Sequence, residues 1–222
     1  MDDAEIGLVW AETYLVETPH DLPMGAYYLS ASLVDQGSDG FAHLYQDEIT
    51  FPIDRVTLGY VVVPWRGDLA GATPVGATPV GATLSAGSAA EYPFTLLGYE
   101  ANGEFAPGGA LDVTLYWEAQ GDMGGATEAY FVFVHLLDAG GQLAAQHDGP
   151  PVGGRYPPAA WIPGEPVPDS HTLFLDPALP AGTYTLQVGV YTWPTFERLP
   201  AWDASGNRMQ DDVVRLGGVT IR

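Results

Sequence analysis

The chain has 222 residues and a mass of 23.6 kDa, enough for one large domain or two small ones with a substantial core. It carries 28 Asp and Glu against 7 basic residues, all of them Arg, and the resulting net charge of −21 excludes a nucleic-acid binder, because nothing here neutralises a run of phosphates. The absence of Cys excludes disulfides, thiolate nucleophiles, Cys-ligated zinc and iron–sulfur clusters.

No apolar run approaches the roughly 18 residues of a membrane helix, so the chain is not expected to span a membrane. The opening MDDAEIGLVWAE has no basic region followed by an apolar stretch and does not read as a signal peptide. The acidic residues are spread without a block of like charge. That pattern describes a solvated surface, which disfavours docking on anionic lipid or anionic glycan.

In chain order, residues 1–64 come first and share their pattern with the end of the chain. Leu22-Pro23-Met24-Gly25-Ala26-Tyr27-Tyr28-Leu29 matches Leu179-Pro180-Ala181-Gly182-Thr183-Tyr184-Thr185-Leu186, with Leu, Pro, Gly, Tyr and Leu recurring. DRVTLGYVVV at 54–63 likewise matches DVVRLGGVTI at 212–221. Residues 1–64 therefore read as a partial copy, C-terminal strands only, of a unit whose full version is 92–222. Between them, residues 71–85 read GATPV-GATPV-GATLS, and the surrounding 65–91 is poor in large apolar residues. This tract is expected to be an extended inter-domain linker.

Helix signals are nearly missing, whereas strand signals recur between Gly, Pro and Asp clusters. Strands are expected at 94–100, 110–118, 129–138, 142–147, 171–175, 183–191 and 213–221. The clearest is 110–118, with Leu111, Val113, Leu115 and Trp117 on one face; 129–138 is apolar on both faces, as in a central strand. Ala139-Gly140-Gly141 makes a hairpin of 129–138 and 142–147. The fold class predicted is all-β, an antiparallel immunoglobulin-like β-sandwich. Ala181-Gly182-Thr183-Tyr184 has the form of a tyrosine corner, and Tyr27 occupies the same place in the first copy.

Several groups of residues bear on chemistry. His135 on its strand, with His147 placed opposite Phe133 by a three-residue loop and Asp148 next to it, forms a cluster that reads either as a metal or general-base site or as buried, hydrogen-bonded structure. His20, His43 and His171 have no partner in sequence and read as surface or edge residues. Asp138, Asp148, Asp169 and Asp176 lie beside loops, where oxygen ligands for Ca²⁺ collect, but they form no calcium-loop motif. There is no Gly-x-Ser-x-Gly element and no phosphate-cradling loop leading into a helix.

The aromatics are the better lead. Trp161 in RYPPAAWIPGE and Trp193 in YTWPTF sit in Pro-rich loops with Arg155, Tyr156 and Phe196 close in sequence. Flat rings of this kind either cover the apolar faces of sugars or fold back as lids over the sandwich. The candidate ligand-binding residues are Tyr156, Trp161, Trp193, Arg155 and Phe196, at one loop end of the sandwich. Trp117 is expected in the core.

One resemblance rests on longer stretches: LLGYE at 96–100, FAPGGALDVTLYWEA at 105–119, YFVFVHLLDAGGQLAAQHDGPPVGGRYPPAAWIPGE at 130–165, PDSHTLFLDPALPAGTYTLQVGVY at 168–191 and ERLPAWDASGN at 197–207. The run resembles the C-terminal, extracytoplasmic β-sandwich region of glycosyltransferase-like bacterial membrane proteins of the family 39 type. The resemblance implies an appended extracytoplasmic module and no catalysis, since the transferase site of such proteins lies in the membrane part. Thr192-Trp193-Pro194-Thr195-Phe196 departs from the short turn the family commonly has there.

The expected function is a non-catalytic accessory module of cell-envelope glycosylation, engaging neutral carbohydrate or an envelope protein and needing no cofactor. A structural spacer in a tandem array is the alternative, and a glycan hydrolase the third reading.

Overall fold

The structure, a computed structural model, describes residues 22–31, 34–35, 40–41, 56–70, 73–74, 76–85, 94–101, 105–121 and 129–222. Alternation of apolar and polar residues between turn residues produces strands throughout. They are β1 (Gly25–Ala31), β2 (Val56–Val63), β3 (Thr78–Leu84), β4 (Phe94–Glu100), β5 (Ala110–Ala119) and β6 (Ala129–Leu137). They continue as β7 (Leu143–Gly149), β8 (Val167–Phe174), β9 (Gly182–Trp193), β10 (Ala201–Trp202) and β11 (Val214–Ile221).

Two antiparallel sheets pack face to face. One has the order β8-β5-β4-β3-β10 and the other β7-β6-β9-β11. The inward residues of both, among them Leu96, Leu111, Leu115, Trp117, Val134, Leu136, Leu186 and Val188, form one buried core. Each of the seven strands read from the sequence is present, and the chain is all-β as predicted. Burying side chains of this size stabilises by roughly 1.5–3 kcal/mol apiece, the driving force that closes the two layers.

The linker expectation for 65–91 fails at 78–84. Those residues form β3, inside the five-stranded sheet between β4 and β10, with Ala82 opposite Leu96, Leu84 opposite Phe94, and Ala201 on the other side of Leu84. The reason lies in the third pentapeptide. GATLS carries Leu84 where the first two units carry Pro74 and Pro79, which restores a backbone N–H for the ladder and adds an apolar side chain. Ala82 and Leu84 point inward and are fully buried. Pro79 is accommodated beside a register irregularity between Pro79 and Ala82, where Gly81 takes φ +70.

The internal repeat is also structural. Tyr184 Oη donates to the Pro180 carbonyl at 2.7 Å, and Tyr27 Oη donates to the Pro23 carbonyl at the same 2.7 Å, so both tyrosine corners form. β1 pairs with β2 through Gly25↔Val63 and Tyr27↔Val61, and β9 pairs with β11 through Gly182↔Ile221 and Tyr184↔Val219. These pairs correspond at the offsets that relate the two sequence blocks, so the β1–β2 hairpin reproduces β9–β11 in register. The hairpin touches the sandwich: the Ala26 N–H donates to the Arg155 carbonyl at 3.1 Å, Met24 and Val62 pack on the core, and Trp65 meets Tyr116 with ring centroids 5.9 Å apart. Among the described residues no helix is long and apolar enough to cross a membrane.

Candidate functional site

β6 lies between β7 and β9 and is apolar on both faces, so its outward residues need cover of their own. The outward positions are Phe131, Phe133 and His135 on β6, and Gly189, Tyr191 and Trp193 on β9; the register sets Phe133 opposite Gly189 and Phe131 opposite Tyr191. Gly189 makes room for a ring. A Cβ there would stand 2.3 Å from Phe133 Cζ and 3.2 Å from the Asp212 carbonyl oxygen. Phe133, Tyr191 and Val213 accordingly form a small buried cluster outside the main core, with Phe131 packed against it.

From this base the rings climb outward. Phe131 stacks on Trp193 at 5.5 Å and 29°, and Tyr191 on Phe196 at 5.6 Å and 22°. Trp193 meets Phe196 edge to face at 4.9 Å and 76°, which makes an apolar corner. A tight turn holds that corner: Thr192 Oγ1 bonds Thr195 Oγ1 at 2.6 Å, and the Phe196 N–H donates to the Thr192 carbonyl at 2.8 Å. Phe196 sits in the left-handed region at φ 59, a conformation that costs a β-carbon-bearing residue about 1 kcal/mol or more. Trp193 is 46% exposed and Phe196 60%.

A polar border adjoins the aromatic shelf. The Arg198 guanidinium lies 4.9 Å from the centroid of Phe133 and donates to the Asp211 carbonyl at 3.1 Å. Asp148 Oδ1 is 3.5 Å from His135 Nε2. Burial holds the His135 imidazole below its ordinary value, opposed by Asp148 and reinforced by the charge of Arg198. Burial, and then Asp148, hold the Tyr191 hydroxyl above its ordinary value.

The five residues singled out in the sequence part company here. Trp193 and Phe196 are on the shelf. Tyr156 and Trp161 are not: both are buried in the main core, with Trp161 Nε1 donating to the Tyr156 carbonyl at 2.9 Å and its ring edge-on to Phe94 at 5.5 Å. Phe94 in turn meets Tyr130, which points inward where its neighbour Phe131 points outward, so the sheet separates Trp161 from Trp193. Arg155 is exposed and offers its carbonyl to the β1 segment. The expectation that Tyr156, Trp161 and Trp193 share one ligand surface is therefore corrected. The Pro-flanked loop that carries Tyr156 and Trp161 folds inward, where two large rings gain more from burial than from exposure.

The histidine cluster is corrected as well. A bulge between Leu136 and Leu137 shifts the β6–β7 register by one, so Asp148, not His147, stands opposite Phe133. His135 and Asp148 meet on the outer face, while His147 turns to the other face and meets His171, which is buried and no surface residue. His20 and His43 lie outside the described residues.

The four loop aspartates do not converge. Asp138 accepts from the N–H groups of Gly140 and Gln142, Asp176 from that of Ala178, and Asp169 is buried. Among the described residues no group of three or more ligating side chains could hold a metal ion.

A small cleft beside β4 and β11, lined by Thr78, Tyr99, Glu100, Thr220 and Arg222, is polar and internally bonded. Tyr116 donates to Glu100 at 2.8 Å, and the Gly217 N–H donates to Tyr99 Oη at 2.8 Å. Burial, and then the bond to Glu100, push the Tyr116 hydroxyl up to about 12.

Sequence reading missed Phe131 and Tyr191 as shelf residues. Their signal was available in a strand apolar on both faces, one face of which has to be covered by something other than the core. The class of protein that the fold and this surface define is an antiparallel β-sandwich with an outward aromatic shelf. Protein-family models and curated proteins offer no match to the chain.

Proposed function

We propose that this chain is a non-catalytic, extracytoplasmic binding module that engages neutral carbohydrate on the Trp193–Phe196 shelf, as an accessory to a cell-envelope glycosylation system. One observation carries the reading: Trp193 and Phe196, two of the most exposed large apolar side chains described, adjoin each other on a buried ring stack and are held by a turn that accepts backbone strain at Phe196. Backbone strain persists only where the surrounding structure holds it in place, and it clusters at ligand sites among others. An apolar corner of indole and phenyl, bordered by Asp148 and Arg198, suits a ligand with an apolar face and hydroxyls around it.

The net charge of −21 favours neutral over acidic glycans. The tyrosine corner supports the immunoglobulin-like version of the sandwich. Placement outside the cytoplasm and the link to glycosyltransferase-like proteins rest on the sequence resemblance.

Titration with neutral oligosaccharides should quench Trp fluorescence at micromolar to millimolar concentrations. Trp193→Ala should abolish the quench while leaving the melting temperature nearly unchanged. A second reading, a structural spacer in a tandem array, draws on the in-register copy of β9–β11 in the β1–β2 hairpin. Absence of any quench across a broad neutral panel would give it precedence.

A further inference from the structure

β7 and β8 are edge strands of different sheets, and they run side by side along one seam of the sandwich. A pair of imidazoles crosses that seam. His147 Nδ1 on β7 lies 2.9 Å from His171 Nδ1 on β8, with the rings edge to face at 72°. Behind them, His171 Nε2 is 2.9 Å from Asp169 Oδ2. Asp169 also accepts from Trp117 Nε1–H at 3.2 Å and from the Val152 N–H at 2.7 Å. Asp169 and His171 are 1% and 2% exposed, while His147 is only half-buried.

The contact depends on where the hydrogens are. An imidazole nitrogen donates when it carries hydrogen and accepts when it does not. Asp169 takes N–H bonds on both oxygens, the behaviour of a carboxylate, so His171 Nε2 carries hydrogen and donates to it. The two Nδ1 atoms at 2.9 Å then require one hydrogen between them: one ring donates and the other presents a lone pair. A second hydrogen sets N–H against N–H, and His171, with hydrogen on both nitrogens, is then a cation facing a donor.

We propose that the His147–His171 pair is a proton-operated latch between the two sheets, closed at neutral pH and opened when acid loads both Nδ1 atoms. His147 is the entry point for the proton, since it alone of the three groups reaches solvent.

Among the described residues, the titratable groups that bear on His147 are His171 and Asp169 on β8 and Asp148 beside it on β7. β6 presents Val134 opposite His147, with His135 on the other face, and β5 contributes the neutral Trp117 indole through Asp169. Burial lowers the pKa of His147, and the charge of His171 lowers it further, against Asp169 and Asp148. A folded-state value below the unfolded one of about 6.5 leaves the contribution intact above that pH. It is lost as pH falls from there through the lowered folded value. His135 is shifted in the same direction, so its contribution has to be removed by substitution.

The experiment uses ¹⁵N-labelled full chain. Long-range ¹H–¹⁵N correlation at pH 7.5 should show His171 Nε2 protonated, with one of the two facing Nδ1 atoms protonated and the other bare. On titration downward from about pH 6.5, the bare Nδ1 should gain hydrogen so that both facing atoms carry one, and amide exchange in β7 and β8, corrected for its intrinsic pH dependence, should accelerate about tenfold or more relative to β6 and β9. In a His135→Gln background the acceleration should persist, and adding His147→Gln should remove it. Facing Nδ1 atoms that both carry hydrogen, or both lack it, at pH 7.5 overturn the latch. So does β7 exchange that accelerates equally in the His147→Gln chain or does not accelerate at all. If His147→Gln fails to fold, the wild-type protonation pattern decides by itself.

Discussion

Replacing Leu84 by Ala should destabilise the sandwich by about 2–5 kcal/mol, the usual cost of truncating a fully buried leucine. The side chain is 0% exposed, sits opposite Phe94 and has Ala201 on its other side, so a cavity there has walls in three strands and little means to collapse. Leu84→Pro should cost more than Leu84→Ala, because it also removes a ladder N–H in a strand flanked on both edges. With a urea slope of about 2–3 kcal/mol/M for a domain of this size, Leu84→Ala should lower the unfolding midpoint by roughly 1 M. Thr78→Ala, at an exposed position of the same strand, should stay within about 0.5 kcal/mol of wild type. Urea unfolding followed by far-UV circular dichroism and by Trp fluorescence measures both. If Leu84→Ala leaves the midpoint where it was, the third pentapeptide is linker after all and β3 does not belong to the sheet.

Trp117→Ala should cost about 3–5 kcal/mol, since it empties the centre of the core and takes one of the N–H donors away from buried Asp169; thermal unfolding checks it, and a shift of a degree or less would contradict it. Phe196→Gly should be more stable than Phe196→Ala by about 1 kcal/mol, because glycine takes a positive φ without a β-carbon clash. Equal stability of the two variants would mean that the turn relaxes and the strain is not held in place.

The strands were legible because their alternation is local. Leu111, Val113, Leu115 and Trp117 declare a face within nine residues, and the repeated Leu-Pro-x-Gly-x-Tyr declares a tyrosine corner twice over. What the sequence hid was decided at a distance. In GATLS the composition of a linker masks one leucine and one missing proline, whose meaning appears only when β4 and β10 arrive on either side. Trp161 and Trp193 look alike as aromatic residues in Pro-rich loops, yet one loop folds under the sheet and the other over it. No local pattern encodes that choice. His147 was set on the wrong face by a single inserted residue in the β6–β7 pairing, which reverses every side chain beyond it. His171 read as a surface residue because its partner His147 lies across the seam between the sheets.

The most direct test of the shelf is a ¹H–¹⁵N spectrum of the six tryptophan indoles recorded while a neutral oligosaccharide is added. The indole N–H of Trp193 should shift with saturable, ligand-dependent behaviour, together with the backbone amides of Tyr191 and Phe196, while the buried indoles of Trp117 and Trp161 stay where they are. Movement of Trp161 without Trp193, or no movement of any indole across a panel of neutral glycans at high concentration, would contradict a carbohydrate site on this face.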